Sequence, residues 1–119
     1  MPYERKREPL DPCPVEEVLE LIAGKWKARI LYLIGMRPQT FAELRRGLPG
    51  ITQQVLAEQL RALVGDGIVN RERTIRGNRV FSLYALTGEG ESLMPLLNEL
   101  SLWGTRRLRD RGIVWEAPK

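Results

Sequence analysis

The chain has 119 residues, enough for one domain, with 19 Lys and Arg against 15 Asp and Glu, a single cysteine and no histidine. Without histidine neither Ser-His-Asp nor Cys-His catalysis is available, and one cysteine supports neither a disulfide framework nor a His/Cys zinc site within one chain. The 43% hydrophobic content suffices for a core, no apolar run nears the ~18 residues of a membrane span, and no secretory stretch opens the chain, so composition predicts a soluble, basic, intracellular domain whose lone thiol suits a reducing compartment.

In chain order, residues 1–12 read as a flexible charged arm. Val15, Val18, Leu19 and Ile22 recur at helical spacing, so a first helix starts near Pro14 with Cys13 at its N-cap and ends at Gly24. Trp26, Ile30, Leu33 and Ile34 repeat the pattern in a second helix, closed by Gly35 and Pro38. Thr40 and Glu43 are spaced as a capping box, which opens a short third helix with Phe41, Leu44 and Leu48 inward. Pro49 and Gly50 form a tight turn. Thr52 then caps a fourth helix with Leu56, Leu60 and Leu63 on one face, which stops at Gly65-Asp66-Gly67. The period next falls towards two: residues 68–75 and 79–86 read as strands joined at Gly77-Asn78, with Phe81 and Leu83 as the inward pair. Thr87 starts a last helix with Glu89 and Glu91 at its positive end and Leu93, Leu96, Leu97, Leu100 and Trp103 as an apolar stripe. Residues 112–119 read as a tail, which leaves one folded unit over residues 13–111.

Charge is segmented along the chain. Residues 11–20 hold four acids and no base, residues 25–46 hold six bases and one acid, and residues 71–79 hold four arginines against Glu72. Residues 89–99 are acidic again, and residues 106–111 return four arginines. Fifteen of the nineteen bases are arginine, the residue suited to forked contacts with phosphate and guanine. Taken alone, this alternation fits a polyanion-binding face or an ordinary solvated surface equally.

The order of elements narrows the choice. A short helix, a tight turn and a second helix is a helix-turn-helix, and the arginine-flanked hairpin after it is a wing. The expected fold is mainly α with a small β-hairpin wing, a winged helix-turn-helix. At about 100° per residue, Gln54, Glu58 and Arg61 lie opposite the leucines of the fourth helix, with Ala57 on a flank and Thr52 and Gln53 at the N-terminal end that meets bases. Gln matches adenine and Arg matches guanine in the major groove, while Glu58 would repel phosphate unless it accepts from cytosine or pairs with Arg61. Arg71, Arg73, Arg76, Asn78 and Arg79 on the wing, with Lys25 and Lys27 at the second helix, are the expected phosphate or minor-groove contacts. Trp26 reads as core, and Tyr84 and Phe81 read as hairpin packing residues.

Many spaced runs also resemble the HxlR-type regulators, winged helix-turn-helix proteins related to MarR. They are Cys13-Pro14-Val15, Leu21 to Lys27 with Ile30-Leu31, Phe41-Ala42-Glu43-Leu44, Gly50-Ile51-Thr52, Leu56 with Leu60 to Leu63, Asp66 to Arg71 and Leu86 to Gly90. The resemblance covers about residues 13–104. The wing departs from it: Arg76-Gly77-Asn78-Arg79 and Val80 to Tyr84 stand where the family usually has prolines and a Val-Glu-Tyr run. The resemblance implies a cytoplasmic homodimer that regulates transcription and pairs through its terminal helices. Independently, the stripe of Leu93, Leu96, Leu97, Leu100 and Trp103 is longer than a minimal winged domain can cover, which reads as a dimer contact.

Some such regulators sense oxidants through an N-terminal cysteine. Cys13 accordingly has two readings, a redox switch or a half-buried cap residue. The helix's positive end and the nearby acids Asp11, Glu16 and Glu17 act on its thiol in opposite senses. The expected partners are double-stranded DNA, a second copy of the chain and a small-molecule or oxidant effector, with no membrane, no metal and no cofactor. Adjacent carboxylates such as Glu16 and Glu17 do not face one cleft and no Gly-rich phosphate loop is present, so an enzyme is not expected. The rival readings are a winged module that docks to protein and a nonspecific architectural DNA binder.

Overall fold

The computed structural model describes residues 12–115. Residues 1–11 of the expected arm and 116–119 of the expected tail lie outside the described residues. The elements run α1 (Pro14–Ile22), α2 (Lys27–Met36), β1 (Gln39–Thr40), α3 (Phe41–Arg46), α4 (Gln53–Gly65), β2 (Val69–Arg76), β3 (Arg79–Leu86) and α5 (Gly88–Asp110). The fold is therefore mainly helical with a small antiparallel sheet, in the winged helix-turn-helix order.

Local chemistry accounts for the boundaries. Pro14 stands at the start of α1, where its missing N–H costs nothing, and the Cys13 carbonyl accepts from the Glu17 N–H at 3.1 Å. The box at α3 is complete: the Glu43 N–H donates to the Thr40 hydroxyl at 3.2 Å, and the Thr40 N–H donates to the Glu43 carboxylate at 2.9 Å. At α4 the Thr52 hydroxyl accepts from the Val55 N–H at 3.1 Å. The Thr87 hydroxyl accepts from the Gly90 N–H at 3.0 Å and donates to the Gly67 carbonyl at 2.6 Å, tying the start of α5 to the end of the helix-turn-helix. Gly90 is required there, because a Cβ would run into the Ile68 carbonyl oxygen.

The sheet has the order β1-β3-β2. Val69 faces Leu86 at the open end of the hairpin, and Arg76 faces Arg79 at the tip. Gly77 sits at φ +64° ahead of Asn78, as a two-residue primed turn needs. The short β1 was not legible from period; Gln39 pairs with Tyr84 and Thr40 with Leu83. Gln39 is buried and its side-chain amide donates to the Leu33 carbonyl, which fixes the corner between α2 and α3.

The core gathers Ile30, Leu31 and Ile34 of α2, Leu44 of α3, Leu48 and Ile51 of the turn, Leu56, Leu60 and Leu63 of α4, and Ile68, Val69 and Tyr84. Trp26 packs against this cluster, but as the N-cap of α2 rather than inside the helix. Two expectations are corrected. The β3 residue in the core is Tyr84; Phe81 and Leu83 are only half-buried, because strand alternation turns them to the opposite face of the sheet from Tyr84. Lys27 is 1% exposed, since α2 starts at it and turns it inward, so it is withdrawn from the expected phosphate-contacting surface. Beyond α5, the Ile113 N–H donates to the Leu108 carbonyl at 2.9 Å, and Trp115 meets Tyr32 edge-on at 6.2 Å between ring centroids.

Candidate nucleic-acid interface

The α4 leucines are withdrawn into the core, which leaves a polar face outward. Gln53, Gln54 and Arg61 are exposed, Ala57 and Glu58 are half-buried, and Thr52 is exposed at the N-cap with its hydroxyl accepting from the helix. Gln54 donates to the Glu58 carboxylate at 3.4 Å, one turn along. That contact holds Gln54 along the helix and gives Glu58 a partner on the expected reading face. α4 packs on β2, so α4 and the wing belong to one packed unit.

The wing arginines divide between the two sides of the hairpin. Residues directly opposite in an antiparallel pair share a face. The register therefore puts Arg71 and Arg73 with Ser82, Ile75 and Val80 on one side, and Arg76 with Arg79, Phe81 and Leu83 on the other. On the first side, Arg71 Nε donates to the Ser82 hydroxyl at 2.9 Å. Ile75 and Val80 lie bare at the tip, 72% and 59% exposed. On the second side the Arg79 guanidinium lies 5.5 Å from the centre of the Phe81 ring. Asn78 is exposed at the turn. The four arginines are thus two pairs facing different ways, a division that an expectation of one basic wing did not contain.

Sequence reasoning missed a junction between wing and helix-turn-helix. Glu43 Oε2 accepts from Arg37 at 3.3 Å, and Glu43 Oε1 accepts from Arg76 at 3.5 Å. The Thr40 backbone N–H, foremost, holds the Glu43 carboxyl down from 4.5 to about 2, helped by the Thr40 side chain, Arg37 and the charge of Arg76 and opposed by partial desolvation. The capping-box spacing marked Glu43 as a helix cap. Nothing local marked Arg37 or Arg76 as its partners.

The remaining expected residues lie elsewhere. Lys25 is exposed in the α1–α2 loop with its ammonium 5.0 Å from the Trp26 ring centre. The α5 stripe splits. Leu93 and Leu97 pack against the chain's own core, and a Cβ on Gly35 would meet the Met94 side chain at 2.7 Å. Leu96, Leu100 and Trp103 stay exposed, the last beneath the guanidiniums of Arg106 and Arg107. Val15 and Leu19 of α1 are also exposed, and α1 buries no residue fully. Between α2, the α3–α4 turn and α5 lies a largely apolar cleft of about 660 Å³ lined by Tyr32, Leu48, Met94, Leu97 and Trp115, with Arg29 and Arg46 beside it. Cys13 is a half-buried free thiol that makes no capping hydrogen bond. Among the described residues no helix is long and apolar enough to cross a membrane, and no group of acids and thiols could hold a metal ion.

The profile of the HxlR-like helix-turn-helix family matches residues 21–111. The chain belongs to that family. The HTH-type transcriptional regulator YdzF of Bacillus subtilis (strain 168) is 40% identical over 93 residues, spanning 77% of this chain and 84% of the relative. Among solved structures, the redox regulator HypR in its reduced form shares 40% identity at a TM-score of 0.75, covering 82% of this chain and 95% of that one. The reduced form of the transcriptional regulator YodB from B. subtilis shares 29% identity at a TM-score of 0.70, covering 81% of this chain and 94% of the other. This HxlR-like chain is a DNA-binding transcription regulator with a winged helix-turn-helix, in a family made of transcriptional regulators.

Proposed function

We propose that the protein acts in the cytoplasm as a homodimer that binds a pseudo-palindromic operator by sequence. Each protomer lays α4 in a major groove and its wing on the neighbouring phosphates, with half-sites about one helical turn apart or a multiple of it. The observation that carries this reading is the uncovered face of Gln53, Gln54 and Arg61 on a capped α4, packed in one unit with an arginine-bearing hairpin. The dimer is supported by the apolar residues left bare on the terminal helices, Val15 and Leu19 on α1 and Leu96, Leu100 and Trp103 on α5.

The signal is an oxidant acting at Cys13. Support comes from the partly accessible thiol with no capping bond and from two structural neighbours studied in defined redox forms. Joining the Cys13 thiols of two protomers releases two protons and two electrons, which reduce hydrogen peroxide to two waters. The cleft beside Tyr32 favours a second signal, a small amphipathic molecule, because its size suits such a ligand.

The test is fluorescence anisotropy on the promoter region beside the protein's own gene and on a scrambled duplex, across a salt series. Tight binding over control, with a slope of several phosphates per dimer, is the expected result. Equal weak binding to both duplexes indicates an architectural binder, and no salt-sensitive binding indicates a protein-docking module. Peroxide treatment should change the affinity of the wild type and leave Cys13→Ser unaffected; identical behaviour of the two would remove the thiol from the mechanism.

A further inference from the structure

The junction at Glu43 joins parts of the chain that no local motif connects. Arg37 is the C-cap of α2 and Arg76 is the last residue of β2, yet both guanidiniums end on the two oxygens of one carboxylate, at 3.3 and 3.5 Å. The exposures are unequal. The Glu43 side chain is 18% exposed, whereas Arg37 is 63% and Arg76 is 52% exposed. The carboxylate is held from behind by the Thr40 N–H at 2.9 Å, so it is the fixed member of the trio. Each arginine gives it a single nitrogen, and both side chains are more than half exposed, so each guanidinium keeps donors for a further partner. The trio carries a net positive charge, one acid against two bases.

We propose that Glu43 is a positioning residue for the DNA backbone: it sets Arg37 and Arg76 as a fixed pair that receives phosphate at the seam between the helix-turn-helix and the wing. The proposal rests on the DNA-binding reading above. Its physical content is preorganisation. Arginine side chains lose rotamer freedom when they bind, and a side chain already ordered in the free protein has less to lose. With its carboxyl held below the ordinary carboxylate range, Glu43 carries the charge that gathers the two arginines throughout the neutral range. Arg79 lies on the same side of the hairpin but over Phe81, so it is outside the pair.

Charge alone makes the opposite prediction. Removing an acid from a phosphate-binding surface tightens binding by relieving repulsion. The sign of one substitution therefore separates the two accounts. Glu43→Gln keeps an oxygen for the Thr40 N–H and nearly the same volume, and it removes the charge that gathers the arginines. Preorganisation predicts operator affinity weaker by about three- to tenfold. In an Arg76→Ala background the same change should lose much of that effect, because half of the pair is already gone.

The experiment measures wild type, Glu43→Gln, Arg76→Ala, Arg37→Ala and the Glu43/Arg76 double variant by anisotropy on operator duplex. In the DNA-free proteins it also measures nitrogen-15 relaxation of the arginine Nε–H groups. Expected are weaker binding by Glu43→Gln, non-additivity with Arg76→Ala, and Arg37 and Arg76 Nε–H groups that are ordered in the wild type and mobile in Glu43→Gln. Unchanged or tighter binding by Glu43→Gln overturns the proposal, and so does equal mobility of both guanidiniums in the two proteins. Failure of the wild type to bind any duplex is a different result: it sinks the DNA-binding reading itself.

Discussion

The α4 helix and the terminal helices carry the same kind of apolar stripe and treat it in opposite ways. Leu56, Leu60 and Leu63 of α4 are at most 1% exposed, because α2, α3 and the hairpin close over them. Leu96, Leu100 and Trp103 of α5 are 41%, 48% and 58% exposed, and Val15 of α1 is 65% exposed. Helical spacing of apolar residues thus predicts that a face will be hidden but does not name what hides it. In the helix-turn-helix the chain covers itself. On the terminal helices it runs out of its own surface, and the proposed cover is a second copy.

The largest expected effect tests the covered side. Leu60→Ala should cost about 2–5 kcal/mol of stability in urea unfolding, since a fully buried leucine leaves a cavity that a packed core fills only in part. Leu100→Ala, measured where the protein is monomeric, should fall well short of that. Equal costs would erase the contrast between the two regions. The complementary substitution, Leu100→Asp, should leave the monomer folded and raise the dimer dissociation constant by about tenfold or more, seen by sedimentation at several concentrations. The wild-type unfolding midpoint should rise with protein concentration, and that of Leu100→Asp should not. A wild-type midpoint independent of concentration would sink the homodimer.

Within the winged helix-turn-helix, the comparison becomes one of helix against wing. Gln54→Ala should reduce preference for operator over random duplex by about 1–3 kcal/mol while changing random-duplex binding little. Arg76→Ala should weaken both duplexes alike and lower the salt slope by about one unit. If Gln54→Ala weakens both duplexes equally, it makes no base contact; if the Arg76→Ala slope is unchanged, that arginine is off the backbone.

Much of this architecture was legible because it rests on short-range rules. Thr40 with Glu43, Thr52 before a leucine face, and Gly77-Asn78 between two arginines each mark an element within a few residues, and all of these elements form. What stayed hidden depends on distant partners. β1 is two residues long, too short to show a period, and exists because β3 offers Tyr84 and Leu83 to pair with. Lys27 looks like any surface lysine until α2 begins at it and turns it inward. The wing arginines form one run in sequence, but the period of a strand sends alternate residues to opposite sides. Arg76 meets Glu43 across 33 positions, a separation over which no local pattern operates.

The smallest effect extends the comparison from apolar cover to charge. The helix-turn-helix answers its own acid: Glu43 has Thr40, Arg37 and Arg76 around it. Near the end of α5, Arg106 has an acid partner only at the margin of contact, Asp110 at 3.7 Å, and lies over Trp103. A carboxyl whose pKa is lowered on folding adds stability at every pH above its unfolded value, and that contribution disappears as pH falls through the folded one. For Glu43 the limits are 4.5 and about 2. The stability difference between wild type and Glu43→Gln should therefore be constant near neutrality, at about 1 kcal/mol for charge-assisted hydrogen bonds replaced by neutral ones. It should shrink as pH drops below the ordinary carboxylate range and vanish near the lower limit. Urea midpoints of both proteins across that range supply the measurement. A difference that persists in full at the acid end would mean that Glu43 acts through its shape, and that this half of the molecule owes nothing to the charge it encloses.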